Sequence, residues 1–420
     1  MKTPARSAPQ RTAPEPALPE RAEVVCIGAG IIGLATARSL ARRFEQIDIH
    51  VVEAESRPAV HQTGHNSGVI HSGLYYKPGS LKARNCVGGR KRLIEYCDRH
   101  AIPYEICGKL VIATDPEEIP RLDELERRGR ANGLAGLERL PPARIPEFEP
   151  HATGVDALWV PETGIVDFKA VARAYAEELE AAGVSLHLRT RVTGLAPRPD
   201  GVVVETTAGE FEAGHAINCA GLQSDRVARM AGLDPDVRIV PFRGEYFDIA
   251  PERRHLLRGL IYPVPDPRFP FLGVHLTRRV DGSVEAGPNA VLALKREGYN
   301  RGSFDARDTW SSLSYPGFWK MALRFWKVGI REMARSGSRT RFARDLRRFV
   351  PDLSDSDLMP GGSGVRAQAL DRKGNLVDDF AIETSPRMLH VLNAPSPGAT
   401  ASLAIGDTLA DRAAETFGLE

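Results

Sequence analysis

The chain has 420 residues, of which 42% are hydrophobic, 26% charged and 7% aromatic, and its formal net charge is +2. A chain of this length is expected to fold as two or three domains of ~100–200 residues or as one large unit. Its hydrophobic content excludes disorder over most of its length. The small net charge gives no global case for nucleic-acid binding. No stretch approaches the ~18–20 apolar residues of a membrane-spanning helix. Five cysteines without a C-x-x-C pair favour a reducing compartment.

Residues 1–20 contain five prolines and few large apolar residues. This composition predicts a disordered tail. A transit peptide is the alternative, because arginine is present and acids are few, but the prolines oppose the amphipathic helix that such a peptide needs. The segment has no secretory hydrophobic region, and we therefore expect a cytoplasmic protein.

A strand–helix–strand unit around a G-x-G-x-x-G motif follows the tail. Val24–Ile27 is a buried-type strand, Leu34–Arg43 has helical apolar spacing, and Ile49–Glu53 is a second strand. The motif lies between the first strand and the helix, and an acid follows its third glycine by 20 residues. This context predicts a dinucleotide-binding turn, although the motif alone does not separate FAD from NAD.

The residues of this turn have separate physical roles. Gly28 permits a tight turn, Gly30 lets the backbone approach a pyrophosphate, and Gly33 allows close packing of helix and strand. The helix N-terminus offers N–H groups and a partial positive charge to the phosphates. Glu53 is placed to accept hydrogen bonds from a ribose diol. The residues predicted to contact the cofactor here are Gly28, Gly30, Ile31, Ile32, Gly33 and Glu53.

Later segments alternate between helix and strand. Phe168–Ala182 is predicted as a helix that ends at Gly183. Residues 236–295 are rich in proline, glycine, aromatic and β-branched residues, which favours an antiparallel sheet. Ala401–Ala410 is a helix-like run. Further strands are predicted at residues 184–188, 201–206 and 216–221.

Several blocks of small and polar residues complete the pattern. The first, residues 64–84, carries Asn66, Ser67 and Gly68, where backbone can approach a flat cofactor. Other blocks end a predicted strand or precede a helix. They are residues 218–221, 241–247, 273–275, 285–290, 364–368, 377–380 and 390–400.

Together these blocks resemble the D-amino-acid-oxidase-like superfamily of FAD oxidoreductases and, within it, the L-2-hydroxyglutarate dehydrogenase/oxidase family. The resemblance covers roughly residues 22–415, with Gly398, where alanine is usual, as a small departure. It implies an α/β fold with a discontinuous, Rossmann-like FAD-binding domain and an inserted α+β substrate domain built on an antiparallel sheet. The FAD-binding domain would comprise residues 21–95, 155–235 and 345–420, and the substrate domain residues 96–154 and 236–344.

The resemblance also implies oxidation of L-2-hydroxyglutarate to 2-oxoglutarate, with hydride passing to flavin N5 and electrons passing on to quinone or another acceptor. FAD is expected to bind noncovalently, because no cysteine-based attachment motif is evident. The 393–400 turn would meet the flavin ring, so the helix after it would stabilise negative charge there. Further expected cofactor contacts are Asn66, Ser67, Gly68, Ala220, Gly221, Asn393, Pro397, Gly398, Ala399 and Thr400.

Oxidation of a 2-hydroxy acid also releases a proton, and a base with a pKa near 7 suits its removal. His71, in the flavin-proximal stretch, is slightly favoured as this base over His275, on a predicted substrate-domain strand, and the other would orient the substrate. A structural histidine is the alternative for each. No carboxylate completes a metal site with His61, His65 and His71, so no metal is expected.

A substrate with two carboxylates favours recognition by arginine. Arg243 and Arg366 each lie between apolar or small residues, which is unusual for a solvated charge, although a structural ion pair is the alternative. Tyr262 and Tyr76 are candidate hydroxyl donors. The competing enzyme class is an FAD amine or amino-acid oxidase, glycine- or sarcosine-oxidase-like, whose monocarboxylate needs one cation.

Residues 318–348 carry ten Lys/Arg and two acids, a net charge of +8, so the rest of the chain is at −6. On a helix, a stripe of five apolar residues that includes two tryptophans adjoins a basic stripe, which suits an anionic membrane surface where quinone is available. A helix packed on its own domain is the alternative. An alternative that is not an enzyme is a flavin-binding protein whose main role is to dock at membranes or to a respiratory partner. No nucleic-acid module accompanies the segment. The two stripes are Trp319, Leu323, Trp326, Ile330 and Met333, and Lys320, Arg324, Lys327 and Arg331.

Overall fold

The computed structural model describes residues 16–267 and 272–419, which form two large β-sheets, one small sheet and the helices that cover them. The predicted tail lies outside the described residues except for residues 16–20. There Leu18 packs against apolar residues of the first sheet, and the Glu20 carbonyl accepts a hydrogen bond from the Glu212 N–H at 3.1 Å. None of the helices in these two ranges has the length and apolarity needed to cross a membrane.

The strands are numbered in chain order. They are β1 (Arg21–Ile27), β2 (Ile49–Val52), β3 (Val69–Ile70), β4 (Tyr104–Glu105), β5 (Lys109–Ala113), β6 (Glu138–Leu140), β7 (Asp156–Val160), β8 (Gly164–Val166), β9 (Ser185–His187), β10 (Val192–Arg198), β11 (Gly201–Thr206), β12 (Gly209–Asn218), β13 (Val237–Ile249), β14 (Leu260–Pro263), β15 (His275–Arg278), β16 (Val284–Gly287), β17 (Val291–Leu292), β18 (Leu358–Asp371), β19 (Ala381–Ser385) and β20 (Met388–Asn393).

The α-helices follow the same convention. They are α1 (Ile31–Arg43), α2 (Leu81–Arg99), α3 (Ile119–Ala131), α4 (Ile145–Phe148), α5 (Phe168–Ala181), α6 (Ser224–Met230), α7 (Ala306–Leu313), α8 (Pro316–Ser336), α9 (Arg339–Leu346) and α10 (Ser402–Phe417).

The first sheet has a parallel core in the order β20-β12-β1-β2-β9. The central strand β1 is continuously apolar over Val24–Ile27 because both of its faces are covered, as is usual for parallel strands. Antiparallel strands β10 and β11 extend the sheet on one side, and β19 pairs with β20. The predicted strand–helix–strand opening is confirmed.

Helices α1 and α10 cross in direct contact above this sheet. A Cβ atom on Gly406 would lie 2.5 Å from the Ala35 carbonyl oxygen, so only glycine allows the approach. The predicted helix Phe168–Ala182 is confirmed as α5, and Gly183 follows it with φ +86, the left-handed conformation of a helix-ending glycine. The predicted strand at 216–221 ends earlier, at Asn218, where the chain turns.

The second sheet has the order β17-β13-β16-β15-β14-β5-β7-β6, with β18 also paired to β13. Its neighbours are antiparallel except for β5 and β14, which confirms the antiparallel pattern predicted for residues 236–295. Strands β7 and β18 lie in ranges that the sequence assigned to the FAD-binding domain, yet both pair in this sheet. Short apolar runs predict a strand but not its partner, which long-range packing decides.

A small sheet, β3-β8-β4, lies between the two large ones. Strand β3 is fully buried at Val69 and Ile70 and pairs with β8. The next residue, His71, lies near Lys109 and His275 of the second sheet and hydrogen-bonds Thr400, after β20 of the first sheet. We call the region between these groups the cleft.

Candidate functional site

The glycine motif forms a tight turn at the carboxyl end of β1. Gly28 has φ +105, and a Cβ atom on it would lie 2.7 Å from the Cys219 carbonyl oxygen. A Cβ atom on Gly33 would lie 2.0 Å from the Gly28 carbonyl oxygen. Gly30 differs, because the nearest atom to its added Cβ is Thr63 Oγ1 at 3.6 Å. The turn is therefore closed at two glycines and open at the middle one, as a backbone that receives a pyrophosphate requires.

The N-terminus of α1 faces this open space. Its N-cap is Gly30, which has no side chain to accept hydrogen bonds, and its first turn has no acidic residue. The Ile31 N–H donates to Thr63 Oγ1 at 3.0 Å. Helix geometry directs the N–H groups of Ile32 and Gly33 out of this end. The arrangement suits an anion, since N–H groups and the helix dipole both favour negative charge.

Glu53 follows β2 and is 9% exposed beside the same turn. Its Oε2 accepts from the Ala29 N–H at 2.7 Å and its Oε1 from the Glu55 N–H at 2.9 Å. Burial raises the pKa of this carboxyl, and the two backbone hydrogen bonds lower it. The carboxyl is held at the end of the second parallel strand, where a ribose diol would lie.

The Asn66–Gly68 segment turns sharply and joins the two halves of the molecule. Gly68 has φ +69, and a Cβ atom on it would lie 2.8 Å from the Val166 carbonyl oxygen. The Asn66 side chain accepts from the Gly68 N–H at 2.8 Å. The Ser67 hydroxyl hydrogen-bonds with the side chain of Tyr262 on the second sheet.

Ala220 and Gly221 lie directly after β12, next to the glycine motif. The Ala220 N–H donates to Asn218 Oδ1 at 3.1 Å, and Gly221 has φ +53. They belong to the same side of the cleft as Gly28, since the preceding residue, Cys219, contacts that glycine.

The turn between β20 and α10 closes the cleft from the C-terminal side. Asn393 begins it, and its side chain donates to the Val377 and Asp379 carbonyls, both at 2.9 Å. The Gly398 N–H donates to the Pro395 carbonyl at 3.0 Å. Helix α10 starts without a side-chain cap, so its N-terminal N–H groups face the turn. The remaining predicted contacts of this turn are Pro397, Ala399 and Thr400.

Thr400 ties this turn to the segment after β3. Its Oγ1 accepts from the His71 N–H at 3.1 Å and donates to the Val69 carbonyl at 3.3 Å. Tyr76, further along the same segment, hydrogen-bonds with Ser396 of the turn. Residues separated by more than 300 positions thus line one cleft.

One face of the second sheet completes the cleft with side chains from adjacent strands. Val111 pairs with Tyr262 across β5 and β14, and alternation puts Lys109 on the same face. His275 on β15 stacks on Tyr262, with ring centroids 4.0 Å apart. Arg366 on β18 lies beside Tyr246 on β13. We call this set the cation face: Lys109, Tyr246, Tyr262, His275 and Arg366.

Both predicted histidines are uncharged at neutral pH. Burial lowers the pKa of His71 to about 3, and the nearby charges of Lys109 and His275 add to the effect. Burial lowers the pKa of His275 to about 4, although its hydrogen bond to the Gly273 carbonyl opposes this. The pKa near 7 expected for the base is therefore not found at either histidine.

The tautomer of His275 is set by its environment. Its Nδ1 lies 3.0 Å from the Gly273 carbonyl oxygen, which only accepts hydrogen bonds. Nδ1 must therefore carry the proton, and Nε2 of the neutral ring keeps a lone pair. His71 is fixed through its backbone instead: its N–H donates to Thr400, and its carbonyl accepts from Cys86 Sγ at 3.2 Å.

The two predicted arginines lie on opposite faces of the second sheet. Phe242 pairs with Arg366 and Arg243 with Val365, so alternation turns Arg243 away from the cation face. Arg243 is 7% exposed and donates to Glu245 Oε1 at 2.9 Å from one nitrogen and 3.2 Å from another. The structure therefore puts Arg243 in a buried ion pair, the alternative left open by the sequence, and separates it from Arg366.

Lys109 was not among the predicted residues. It is 1% exposed, and its Nζ lies 4.3 Å from the Tyr75 ring centroid and 5.1 Å from that of Tyr262. Burial lowers its pKa to about 7. The available indication was its position at the head of a wholly apolar run, Leu110–Ala113, where a lysine is unusual.

The three histidines considered for a metal separate in the structure. His61 Nε2 lies 3.2 Å from Glu55 and 3.9 Å from Glu297, whereas His65 bonds the Ser363 carbonyl and His71 lies in the cleft. One ligand atom each from His61, Glu55 and Glu297 fits within 4.8 Å. Arg191 lies within 3.3 Å of Glu55 and 3.8 Å of Glu297, so an arginine already offsets part of the negative charge of these two carboxylates.

Helix α8 has one packed face and one exposed face. Phe318 and Met321 pack against Val240 and Leu370 of the second sheet. The opposite face is open, with Leu323 at 74% and Trp326 at 55% exposure. We call the exposed apolar residues the α8 stripe: Trp319, Leu323, Trp326, Ile330 and Met333. The exposed basic residues beside it are Lys320, Arg324, Lys327 and Arg331.

The sequence model for FAD dependent oxidoreductases matches residues 23–412. A protein of Indibacter alkaliphilus named L-2-hydroxyglutarate dehydrogenase is 49% identical over 396 residues, which cover 94% of this chain and 99% of that protein. The mitochondrial L-2-hydroxyglutarate dehydrogenase of Homo sapiens is 45% identical and covers 94% of this chain and 89% of its own.

Solved structures of the same fold are more distant in sequence. L-alpha-glycerophosphate oxidase from Mycoplasma pneumoniae, with FAD bound, has a TM-score of 0.74 at 23% identity, covering 96% of both chains. Glycine oxidase from Geobacillus kaustophilus has a TM-score of 0.69 at 19% identity, covering 94% of both. These likenesses establish the fold.

Proposed function

Since the chain belongs to the FAD dependent oxidoreductase family, we propose that it oxidises L-2-hydroxyglutarate to 2-oxoglutarate, as the names of its most similar relatives state for those proteins. The observation that carries this proposal is the meeting of three features in one cleft. A turn suited to a dinucleotide, two neutral histidines and a sheet face that carries the buried Lys109 and the cation Arg366 converge there.

The residues of the first sheet fit a noncovalent FAD. The open space at Gly30 and the N-terminus of α1 suit its diphosphate, and the Glu53 carboxylate suits its ribose. The N-terminus of α10 suits partial negative charge at the flavin end. When bound, FAD supplies the acceptor for the substrate hydride.

The second sheet is proposed as the substrate domain inserted into the FAD-binding fold. Its cation face supplies positive charge at Arg366, a neutral base and the phenol of Tyr262, and the segment after β3 adds the phenol of Tyr76. We assign proton removal to His275, because Nε2 of its fixed tautomer carries the lone pair that accepts a proton, and orientation of the substrate to His71. This reverses the order that the sequence favoured.

The proposal is tested by anaerobic reduction of the purified yellow protein, followed by the flavin absorbance. L-2-hydroxyglutarate should bleach the flavin rapidly, and the D-isomer, glycine and sarcosine should not. Bleaching by glycine or sarcosine would instead assign the chain to the amine oxidases. No bleaching of an FAD-loaded protein by any of these compounds would contradict the proposed substrate.

The base assignment is tested by His275→Asn and His71→Asn in the same experiment. Loss of a general base slows the reductive step by ~10²–10⁴-fold, which we expect for His275→Asn. His71→Asn should slow it less, with unchanged FAD content. His255→Asn is the matched control, since His255 is exposed and hydrogen-bonds the nearby Glu252 carbonyl. A larger effect from His71→Asn would reverse the assignment.

We further propose that the α8 stripe docks on an anionic membrane surface. Five large apolar side chains exposed along α8, on both sides of its kink at Phe325, favour an interface with lipid, and the adjoining lysines and arginines favour anionic headgroups. The net charge of +8 over residues 318–348, against −6 for the rest, orients the molecule with this segment towards such a surface. A membrane quinone would then be within reach as electron acceptor.

Docking is tested by sedimentation of the FAD-loaded full chain with zwitterionic vesicles and with vesicles that contain phosphatidylglycerol. Binding should require the anionic lipid and weaken with salt. Lys320→Glu/Lys327→Glu should weaken partitioning by ~10-fold or more, because each basic residue contributes ~1 kcal/mol. Lys91→Glu, an exposed lysine on α2, is the control.

Leu323→Ser/Trp326→Ser should also release the protein from anionic vesicles, with Met359→Ser, exposed on β18, as the apolar control. A dimer that forms without lipid and is lost in this double variant would show that the α8 stripe binds a second copy instead. Equal binding of the double variant and the wild type would contradict docking through this stripe.

A further inference from the structure

We propose that Lys109 binds one carboxylate of the substrate while Arg366 binds the other. This inference rests on the dicarboxylate substrate proposed above. It replaces Arg243, the second cation expected from the sequence, which faces away from the cleft and pairs with Glu245.

The position of Lys109 on the cation face is fixed by strand register. Its strand β5 lies next to β14, and its neighbour two residues on, Val111, pairs with Tyr262. His275 stacks on that tyrosine from the next strand. Lys109 and Arg366 therefore project from different strands on one face of the sheet, and the charges of both lower the pKa of His275, whose strand lies between theirs. Cations on either side of this histidine suit a substrate with a carboxylate at each end.

Lys109 is enclosed by groups that stabilise a cation without neutralising it. Its ammonium contacts the rings of Tyr75 and Tyr262, at 4.3 and 5.1 Å from their centroids. Among the described residues, no carboxylate forms an ion pair with it. A buried charge without an ionic partner is costly, and an anionic substrate would remove that cost.

Other cations near the cleft already have carboxylate partners. Arg279 lies 2.6 Å from Glu285, and Arg90 pairs with Glu162. Lys82 is under the influence of Asp378 and Asp379, which raise its pKa against the effect of burial. Lys109 is thus distinguished from these cations by its aromatic, acid-free surroundings.

The surroundings of Lys109 also predict that binding takes up a proton. The groups that face it are Tyr75, Tyr262, His71, His275 and Cys86. The two histidines titrate at about 3 and 4 and Cys86 at about 12, and burial raises the pKa of both tyrosines. Only Lys109, at about 7, titrates among them near neutral pH.

A bound carboxylate favours the charged amine and raises the pKa of Lys109. Above pH 7 the free enzyme loses this proton, so the affinity for a diacid should fall by up to ~10-fold per pH unit until the pKa of the complex is reached. Near pH 7.5, binding should take up roughly half a proton or more from the buffer.

The test compares two ligands that do not react, glutarate and butyrate, by calorimetry with the FAD-loaded enzyme. Butyrate is glutarate with one of its two carboxylates replaced by a hydrogen atom, so the two ligands differ only in that group. The wild type should bind glutarate at least ~10-fold more tightly. Lys109→Met should bind glutarate about as weakly as the wild type binds butyrate, and its affinity for butyrate, held by Arg366, should change little.

Two further variants separate anchoring from a structural role. Lys109→Arg should keep much of the preference for glutarate, because it keeps the charge, but should lose the proton uptake, because arginine does not titrate. Lys91→Met is the matched control and should behave as the wild type. Calorimetry in buffers of different ionisation enthalpy measures the protons taken up.

The outcomes are distinct for the two proposals. If the wild type does not prefer glutarate to butyrate, the dicarboxylate substrate itself is wrong. If the wild type prefers glutarate and Lys109→Met keeps that preference, the role of Lys109 is wrong, even if turnover is lost. If Lys109→Met does not fold, the pH dependence of glutarate binding to the wild type tests the proposal instead. A glutarate affinity that does not change between pH 6 and 9 overturns it.

Discussion

The glycine turn and the cation face line the same cleft, but the first does so with backbone and the second with side chains. The turn at Gly28–Gly33 is made of backbone, and at two of its glycines a single added carbon would overlap a carbonyl oxygen. The cation face is made of side chains on regular strands, where the backbone tolerates any residue. Steric space therefore limits which residues the glycine turn accepts, whereas charge limits which residues the cation face accepts. We expect substitutions in the turn to reduce stability and FAD binding, and substitutions on the cation face to reduce substrate binding.

The largest effect is expected at Gly33. A Cβ atom there would lie 2.0 Å from the Gly28 carbonyl oxygen, so Gly33→Val forces α1 away from β1. The variant should bind no FAD and lose much of its stability. Flavin absorbance per protein and urea denaturation measure both effects.

Two other glycines complete this test. Gly30→Ala meets no atom closer than 3.6 Å and should fold normally, with weaker FAD binding because the added methyl occupies the space for the diphosphate. Gly88→Ala, in α2, meets nothing within 4 Å and should be neutral or slightly stabilising. Normal FAD content in Gly33→Val would contradict the closed turn.

The turn could be predicted from the sequence because its constraints are local. Gly28, Gly30, Gly33 and Glu53 are fixed by spacing within one strand–helix–strand unit, and the structure has that unit. Such a motif carries its own context, so a single sequence is sufficient to interpret it.

The cation face could be predicted only in part, because its register is a long-range property. The sequence indicated Arg243 and Arg366 equally, since both are arginines among small or apolar residues. The pairing of β13 with β18 separates them, and no local pattern specifies that pairing. Lys109 was missed for the same reason: only the neighbouring strands reveal what a lysine at the head of β5 faces.

A smaller effect is expected from the ion pair on the opposite face of the second sheet. Arg243→Met removes one cationic partner of the buried Glu245 carboxylate, which keeps Ser336, Asn289 and Arg301, so the cost is at most ~3 kcal/mol of unfolding free energy. The preference for glutarate over butyrate should be unchanged, because Arg243 does not face the cleft. Urea denaturation and calorimetry measure the two quantities.

Arg243→Met/Glu245→Leu is the matched control for that variant, since it removes both charges and should recover part of the stability. A loss of glutarate preference in Arg243→Met with little change in stability would show that Arg243 binds the substrate, contrary to this assignment. The two arginines therefore provide a direct comparison of the two faces of one sheet.

The smallest effect is expected at His390, on β20 beneath the C-terminal turn. It is fully buried, and burial lowers its pKa from 6.5 to about 4. Below pH 6.5 His390 is therefore protonated in the unfolded chain but neutral in the folded protein, and the free energy of unfolding falls as the pH decreases towards 4. At pH 5 this group alone costs about 2 kcal/mol relative to pH 7.5.

His390→Phe should remove that part of the pH dependence, whatever its effect on stability at pH 7.5. Urea denaturation of the FAD-loaded protein at pH 7.5 and 5.0 measures the difference between the two conditions, with His255→Phe as an exposed control. An unchanged difference would mean that His390 is protonated in the folded protein at pH 5. His71 and His275, whose pKa values are lowered in the same direction, would then account for the acid sensitivity that remains.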